Sequence, residues 1–136
     1  MLKIEQQLEQ HEGKANKPYT DTMGKITIGI GRNLTDVGLS EDEIQYLFQN
    51  DLKRVIRSLD NWLPWWREKP ENIRNVLMDM CFNLGIEGLL GFKKFLRALH
   101  EGNYLEAADE MVESKWYHQV GIRAKTLTEM VLGNGS

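Results

Sequence analysis

The chain has 136 residues, of which 41% are hydrophobic and 27% are charged, and its formal net charge at pH 7 is −3. This length and composition predict one globular domain and argue against disorder. Neither half of the sequence is basic, so we expect no nucleic-acid partner. No apolar stretch is long enough to span a bilayer, so we expect no membrane-inserted segment.

The first residues, "MLKIEQQLEQ", are too polar and too acidic for a signal peptide, which predicts synthesis in the cytoplasm. The sole cysteine, Cys81, has apolar neighbours, which predict a buried and unreactive thiol. The three histidines lie far apart along the chain, and no Cys/His spacing typical of zinc sites occurs. We therefore expect no metal and no other cofactor.

A short helix is predicted over residues 2–12, with Gly13 as its stop signal. Ile4, Leu8 and Glu12 are spaced four apart, so Glu12 should share the face that the two aliphatic side chains bury. The carbonyl end of the helix and the loss of water would both favour the protonated carboxyl at this position. A protonated carboxyl is what a general acid needs.

The next segment, "PYTDTMGKITIGIG", predicts a β-hairpin over residues 18–31. Its second half alternates with a period of two, which places three isoleucines on one face and Thr27 on the opposite, polar face. Asp21 precedes the turn, where backbone N–H groups and solvent favour an ionised carboxylate.

Helices are predicted over most of the remaining chain. Ser40 and Glu43 form a capping-box pattern that opens a helix reaching about Leu59. The segment "DNWLPWWREKPEN" should be an irregular loop, "KWYHQVG" a bend, and "GNGS" a frayed end. Further helices fit residues 71–84, 92–100, 103–114 and 122–132, with glycines interrupting a short helix after the first of these.

These elements predict an α+β fold that is mostly α, with a small antiparallel sheet near the N-terminus. We expect two lobes with a cleft between them, joined by the long helix that follows the sheet. The small lobe would comprise residues of about 13–59, and the helical lobe about 60–136 together with the N-terminal helix, 1–12.

Glu12, Asp21 and Thr27 together suit glycoside hydrolysis. That reaction uses two carboxyl groups in contrasting environments, one to protonate the leaving oxygen and one to handle water or the developing cation. Thr27 is placed to hold the same water. Taken singly, each residue is more often a solvated helix end, a turn former or an ordinary strand residue, so the hypothesis depends on their joint spacing.

The order E-G, Y-x-D-x-x-G and T-I-G-I-G resembles the phage-type lysozymes of the T-even phage kind, glycoside hydrolase family 24. Further segments continue in the same order: "LFQNDL", "FNLGIEGLLGF", "EAA" and "SKWYHQVGIRAK". The resemblance implies a lysozyme-like fold and a muramidase. Such an enzyme hydrolyses β-1,4 bonds between N-acetylmuramic acid and N-acetylglucosamine in peptidoglycan, usually with inversion at the anomeric carbon.

The resemblance also implies roles for individual residues. Glu12 would be the general acid, Asp21 would position the attacking water, and Thr27 would support that water. A second set would line the cleft or contact the substrate, with the last member also approaching the catalytic Glu: Phe82, Asn83, Glu110 and Arg123.

Two departures from the T-even pattern carry expectations of their own. A His follows "GIG" in the T-even enzyme, whereas Arg32 stands here, and the family's Asp partner corresponds to Asp51. We therefore predict an Arg32–Asp51 ion pair. The segment after "RNLTDVGL" is shorter than in the T-even enzyme, which would trim the small lobe.

The resulting hypothesis is a monomeric phage endolysin that reaches the periplasmic cell wall after release by a holin. A lytic transglycosylase, which forms an anhydro product, and a non-catalytic peptidoglycan-binding module are the alternatives. An acidic helical interaction protein is a third. Asp21 and Thr27 favour hydrolysis, since only the hydrolytic route needs a positioned water.

The three tryptophans of the predicted loop, Trp62, Trp65 and Trp66, have two interpretations. In the first interpretation, they stack on sugar rings. In the second, they cover the core where the long helix enters the larger lobe. Core packing is the favoured interpretation.

Overall fold

The computed structural model describes residues 3–133, and within them the predicted class, α+β and mostly α, is confirmed. The elements follow one another along the chain as α1 (Ile4–Glu12), β1 (Ala15–Thr20), β2 (Ile26–Gly29), β3 (Arg32–Asn33), α2 (Glu41–Trp62), a 3-10 turn (Trp66–Glu68), α3 (Glu71–Leu90), α4 (Lys93–Glu101), α5 (Tyr104–Val112), α6 (Lys115–Val120) and α7 (Ile122–Val131). No helix within residues 3–133 combines the length and apolarity that crossing a bilayer requires.

The described residues divide into two compact units, and the division falls inside α2, after Leu47. Unit 1 (residues 3–47) contains α1, the three strands and the first turns of α2. Unit 2 (residues 48–133) contains the rest of α2 and all later helices. The predicted lobes, about 13–59 and 60–136 with helix 1–12, stay a prediction.

The three strands of unit 1 form one antiparallel sheet in the order β1-β2-β3. The predicted hairpin is present, with Tyr19 paired to Thr27 and a register irregularity earlier in β1. The chain then turns back at once, because Gly29 and Gly31 adopt φ of 69° and 73°, a region that other residues avoid. This second turn leads into β3, where Asn33 pairs with Thr27.

Helix α1 does not bury the face that its spacing predicts. Ile4 is 57% exposed, Leu8 is 47% exposed, and Glu12 is exposed as well. The prediction of a buried face for Glu12 is therefore wrong. The strands of unit 1 have six, four and two residues, so they offer little apolar surface to cover a helix. The predicted start of this helix at residue 2 lies outside the described residues.

Helix α2 opens with the predicted capping box, since the Ser40 N–H donates to Glu43 Oε1 at 2.9 Å and the Glu43 N–H donates to Ser40 Oγ at 3.3 Å. The buried apolar side chains of this helix all lie in the part that belongs to unit 2. Val55 and Leu59 are buried there, whereas Ile44 is 43% exposed.

Unit 2 contains the apolar core of the described residues. The buried apolar side chains come from α2 through α7: Val55, Leu59, Leu63, Trp66, Ile73, Val76, Leu77, Met80, Cys81, Leu89, Phe95, Leu96, Ala98, Leu99, Ala107, Ala108, Met111, Trp116, Ala124, Leu127 and Val131. The Cys81 thiol is buried as predicted, and burial raises its pKa, which disfavours the reactive thiolate.

The tryptophan segment is more regular than predicted, because α2 continues through Trp62 and a 3-10 turn begins at Trp66. The three tryptophans differ in environment. Trp66 is 3% exposed in the core, Trp65 stacks on His100 with ring centroids 4.9 Å apart, and Trp62 is 61% exposed. Core packing is thus confirmed for Trp66, and Trp62 does not share it.

Asp60 holds this segment together. Its carboxylate accepts hydrogen bonds from the Trp66 indole N–H at 2.7 Å and from Arg67 at 2.7 and 2.9 Å. Hydrogen bonding from Arg67, followed by that from Trp66, lowers the pKa of Asp60 to about 2.

Two further helical predictions have different outcomes. Gly85, at φ 75° and ψ 164°, interrupts α3 one residue after the predicted helix end. The segment "KWYHQVG", predicted as a bend, is more regular than expected, because residues 115–120 form α6 and the non-helical residue is Gly121, at φ 60° and ψ −117°. Ser114 provides the reason, since its hydroxyl accepts the Tyr117 N–H at 3.1 Å and caps the helix. Residues 134–136 of the predicted frayed end lie outside the described residues.

Candidate active site

Glu12 is the last residue of α1, and its side chain lies against the turn between β2 and β3. A Cβ atom added to Gly31 would lie 2.8 Å from Glu12 Oε2 and 3.0 Å from its Cδ. The carboxyl group therefore approaches the backbone of Gly31 more closely than any side chain there would allow. This contact brings Glu12 to the end of the strand that carries Thr27.

Asp21 uses one carboxylate oxygen to hold the β1–β2 turn. Its Oδ1 accepts the backbone N–H of Met23 at 2.9 Å and that of Lys25 at 2.8 Å. The main chain adds a bond from the Asp21 N–H to the Lys25 carbonyl, also 2.8 Å. Within residues 3–133, Oδ2 of Asp21 accepts no hydrogen bond, so the second oxygen can serve another partner.

Thr27 is 4% exposed, whereas Ile26 and Ile30 are 50% and 47% exposed. Thr27 was predicted on the polar face of the strand, opposite the isoleucines, and the structure buries this side chain while it leaves Ile26 and Ile30 exposed. Thr27 sits in the middle strand, between Tyr19 of β1 and Asn33 of β3, and its neighbours cover its small side chain. Its buried hydroxyl donates to the Lys25 carbonyl at 3.2 Å.

The backbone of Lys25 thus links the two candidate residues of the hairpin. Its N–H donates to Asp21, and its carbonyl accepts from Thr27. Residue-type patterns do not reveal such a link, because any residue other than proline at position 25 would leave the same peptide groups available.

Arg32 pairs with Glu43 and not with Asp51, so the predicted ion pair is wrong. The Arg32 guanidinium donates to Glu43 Oε1 at 2.7 Å, lies 2.6 Å from Oε2, and donates to the Gly38 carbonyl at 3.2 Å. The capping box already fixes Glu43 in the first turn of α2, while Asp51 is paired with Arg54 on the same helix. Hydrogen bonding from Arg32 lowers the pKa of Glu43 to about 2, and the Ser40 N–H adds to this effect.

Phe82 and Asn83 lie on α3 in unit 2, and both are exposed. Phe82 packs edge-to-face on Phe48, with ring centroids 5.9 Å apart, and borders a pocket of about 270 Å³. Asn83 is held by the buried Trp116, whose indole N–H donates to Asn83 Oδ1 at 3.1 Å. The structure therefore fixes the direction of the Asn83 amide, which the sequence did not predict.

Glu110 and Arg123 also lie in unit 2. Glu110 is half-buried and borders a pocket of about 650 Å³, together with Lys93 and Lys94. Arg123 donates to Asp79 Oδ1 at 2.7 Å and to the Asp79 carbonyl at 3.2 Å. The family resemblance implies that Arg123 approaches Glu12, and no residue pattern indicates its bond to Asp79.

The candidate residues are thus distributed between the two units. Unit 1 contains Glu12, Asp21 and Thr27 around one small sheet, and unit 2 contains the four predicted substrate contacts. The described residues include no group of three or more His, Cys, Asp or Glu side chains placed to hold a metal ion.

Comparison with known proteins decides the family. The family model for phage lysozyme matches residues 9–130, which include all of these candidate residues. The chain belongs to the phage lysozyme family. This phage lysozyme is a glycoside hydrolase whose substrate is bacterial peptidoglycan, and the resemblance seen in its sequence motifs is confirmed.

Similar proteins occur in a cellular organism and in phages. The lysozyme is 29% identical to the probable T4-type lysozyme 1 of Dictyostelium discoideum, over 94% of this chain and 92% of that protein. It is 28% identical to the SAR-endolysin of bacteriophage PS119, over 85% of this chain and 69% of that protein. It is 26% identical to the pre-baseplate central spike protein Gp5 of Enterobacteria phage T4, over 96% of this chain but 28% of that protein.

Proposed function

We propose that this lysozyme uses Glu12 as its general acid, Asp21 to position the attacking water, and Thr27 to support the same water. The observation that carries the proposal is the contact between the Glu12 carboxyl and Gly31. This contact holds the acid beside the short hairpin on which Asp21 and Thr27 both bond to the backbone of one residue, Lys25.

The two oxygens of Asp21 have different tasks in this mechanism. Oδ1 is committed to the backbone N–H groups of Met23 and Lys25, which fix the orientation of the carboxylate. Oδ2 is the oxygen that accepts a hydrogen bond from water. A carboxylate fixed before the substrate arrives needs little reorganisation during the reaction, which lowers the barrier.

Thr27 offers an acceptor to that water. A hydroxyl group has one hydrogen and two lone pairs, and the hydrogen of Thr27 is donated to the Lys25 carbonyl. A water that donates to both Thr27 Oγ1 and Asp21 Oδ2 would point an oxygen lone pair away from the protein. That lone pair would be directed at the anomeric carbon.

In the proposed reaction, the Glu12 carboxyl donates its proton to the glycosidic oxygen as the bond between that oxygen and the anomeric carbon breaks. The positioned water attacks the opposite face of the sugar and passes its proton to Asp21. Because one water attacks directly, the configuration at the anomeric carbon inverts.

Residues of unit 2 would contact the glycan. Phe82 presents an exposed ring to which the apolar face of a sugar can pack. Asn83 Oδ1 is taken by Trp116, so its contact would be made by the amide N–H₂ group. Arg123, oriented by Asp79, and Glu110, beside its pocket, complete the proposed set.

We further propose that the protein acts as a monomeric endolysin, made in the host cytoplasm and released by a holin to the periplasmic cell wall. The similarity to a phage SAR-endolysin supports an endolysin role. The family's substrate locates the reaction at the wall.

The decisive comparison is Glu12→Gln against Glu9→Gln in a peptidoglycan turbidity assay, with mass spectrometry of the released fragments. Both residues are exposed on α1, so the second variant controls for loss of a helical carboxylate. We expect Glu12→Gln to lose activity by about a hundredfold or more while remaining folded, since general acid catalysis contributes at least that much. Glu9→Gln should match the wild type.

The products distinguish the alternatives. Reducing-end muropeptides from the wild type support hydrolysis, and an initial α-anomer in the proton NMR spectrum supports inversion. Anhydro fragments would identify a lytic transglycosylase. No lysis by the wild type, with retained wall binding, would identify a binding module.

A further inference from the structure

We propose that Gly31 is a positioning residue for the general acid. The absence of a side chain at this position is what lets the Glu12 carboxyl lie against the turn that follows β2. This inference rests on the proposed role of Glu12, although the contact itself does not depend on that role.

The contact involves the whole end of the Glu12 side chain. A Cβ atom on Gly31 would lie 2.8 Å from Oε2, 3.0 Å from Cδ and 3.1 Å from Cγ. Ordinary van der Waals contacts of such an atom begin at about 3.4 Å, so these atoms would have to move. Among the glycines of residues 3–133, Gly31 is the one whose missing side chain makes room for a carboxyl group.

The way this clash would be relieved determines its effect. Glu12 is exposed and is the last residue of its helix, so its side chain can rotate away without disturbing a core. The fold would survive the substitution, but the proton donor would be displaced. Misplacement of a catalytic group by about 1 Å costs on the order of a hundredfold in rate.

Gly29 provides a matched control in the same turn. Its φ of 69° is close to the 73° of Gly31, so alanine imposes the same type of backbone strain at both positions. Apart from Gly29 itself and its two chain neighbours, no heavy atom of residues 3–133 lies within 4 Å of a Cβ atom added at this position. The difference between Gly31→Ala and Gly29→Ala therefore isolates the effect on Glu12.

The first measurement is steady-state kinetics on soluble glycan fragments. We expect Gly31→Ala to lower kcat by about tenfold to a hundredfold with little change in KM, because the acid acts in the bond-breaking step. Gly29→Ala should stay within about twofold of the wild type in kcat. Equal losses of kcat in the two variants would assign the effect to backbone strain and overturn the proposal.

The second measurement follows the carboxyl group itself. Carbon-13 NMR of glutamate side-chain carboxyls, with Glu12→Gln to assign the Glu12 signal, should show that signal shifted in Gly31→Ala and unchanged in Gly29→Ala. A Glu12 signal that does not shift in Gly31→Ala would show that the Glu12 carboxyl does not lie against Gly31. A shifted signal with unchanged kcat would overturn the positioning role.

The NMR result remains interpretable if Glu12→Gln is fully active. Full activity would show that Glu12 is not the general acid, whereas the NMR comparison would still test the contact between Glu12 and Gly31. If Gly31→Ala does not fold, Gly31→Asn and Gly29→Asn repeat the comparison, since asparagine tolerates positive φ better than alanine.

Discussion

The two units of this lysozyme are stabilised in different ways. In unit 2, more than twenty apolar side chains form one buried core that draws on α2 through α7. Among residues 3–47 of unit 1, Thr27 alone is buried, and its side chain is polar. Hydrogen bonds instead organise unit 1: the Asp21 turn, the capping box and the pair formed by Arg32 and Glu43.

This contrast separates the requirements for stability from those for catalysis. The proposed catalytic residues lie in the unit with few buried apolar groups, where local opening costs less free energy than loss of the main core. Polar networks orient side chains at fixed angles, whereas apolar contacts are largely non-directional. A site that must direct a proton and a water therefore gains from a hydrogen-bonded unit, and we expect the core of unit 2 to supply most of the folding free energy.

The largest expected effect tests where the stability resides. Trp66→Ala should lower the free energy of unfolding by about 3–5 kcal/mol, because it removes a large buried side chain and its bond to Asp60. Trp62→Ala, at a position that is 61% exposed, should change it by less than about 0.5 kcal/mol. Urea denaturation followed by circular dichroism measures both. Similar losses of unfolding free energy in the two variants would contradict the conclusion that Trp66 belongs to the core and Trp62 does not.

The next effect separates the two tasks of Asp21. Asp21→Ala leaves the N–H groups of Met23 and Lys25 without their acceptor and should cost about 1 kcal/mol. Asp21→Asn keeps an oxygen acceptor for the turn, so its stability should stay within about 0.5 kcal/mol of the wild type. Both variants lose the carboxylate and should lose lytic activity. An active Asp21→Asn enzyme would show that Asp21 serves the turn alone.

The smallest expected effect concerns the stability of the protein at low pH. The folded pKa of Glu43 is about 2 against an ordinary 4.5, and that of Asp60 is about 2 against 3.8. A lowered folded pKa means that each group adds stability above the ordinary pKa, and this contribution is lost as pH falls toward about 2. Glu43→Gln and Asp60→Asn should each flatten the decline in stability between about pH 4.5 and pH 2.

The two units can be followed separately in that experiment, because all four tryptophans lie in unit 2. Tryptophan fluorescence should report the effect of Asp60→Asn, and amide hydrogen exchange of β2 should report that of Glu43→Gln. If each substitution changed both signals equally, the two units would unfold as one cooperative body.

Local signals in the sequence predicted the elements well. Ser40 and Glu43 lie three residues apart, so their pattern is visible without knowledge of the fold, and the capping box is present. The same holds for the Asp21 turn and for Gly85, whose backbone freedom interrupts α3. Ser114 was an equally local signal for α6, and its capping role was missed.

Predictions that depended on distant partners were wrong or absent. Arg32 has a carboxylate partner as expected, but the sequence could not distinguish Glu43 from Asp51. Periodicity placed Glu12 on one helical face without showing whether anything covers that face. The bond between Trp116 and Asn83 joins residues 33 positions apart, and no residue pattern indicates it.

The division of labour within the Asp21 carboxylate has an evolutionary consequence. Asparagine differs from aspartate by one base in the codon, and it retains an oxygen for the turn while lacking the charge that the proposed reaction needs. Glutamine likewise differs from glutamate by one base in the codon, and at position 12 it would lack the proton that the proposed reaction needs. If Glu12 and Asp21 have the roles proposed for them, a folded protein that recognises the cell wall without cutting it lies a single mutation away from this enzyme. Natural selection could then recruit a lysozyme as an adhesive module without passing through an unfolded ancestor.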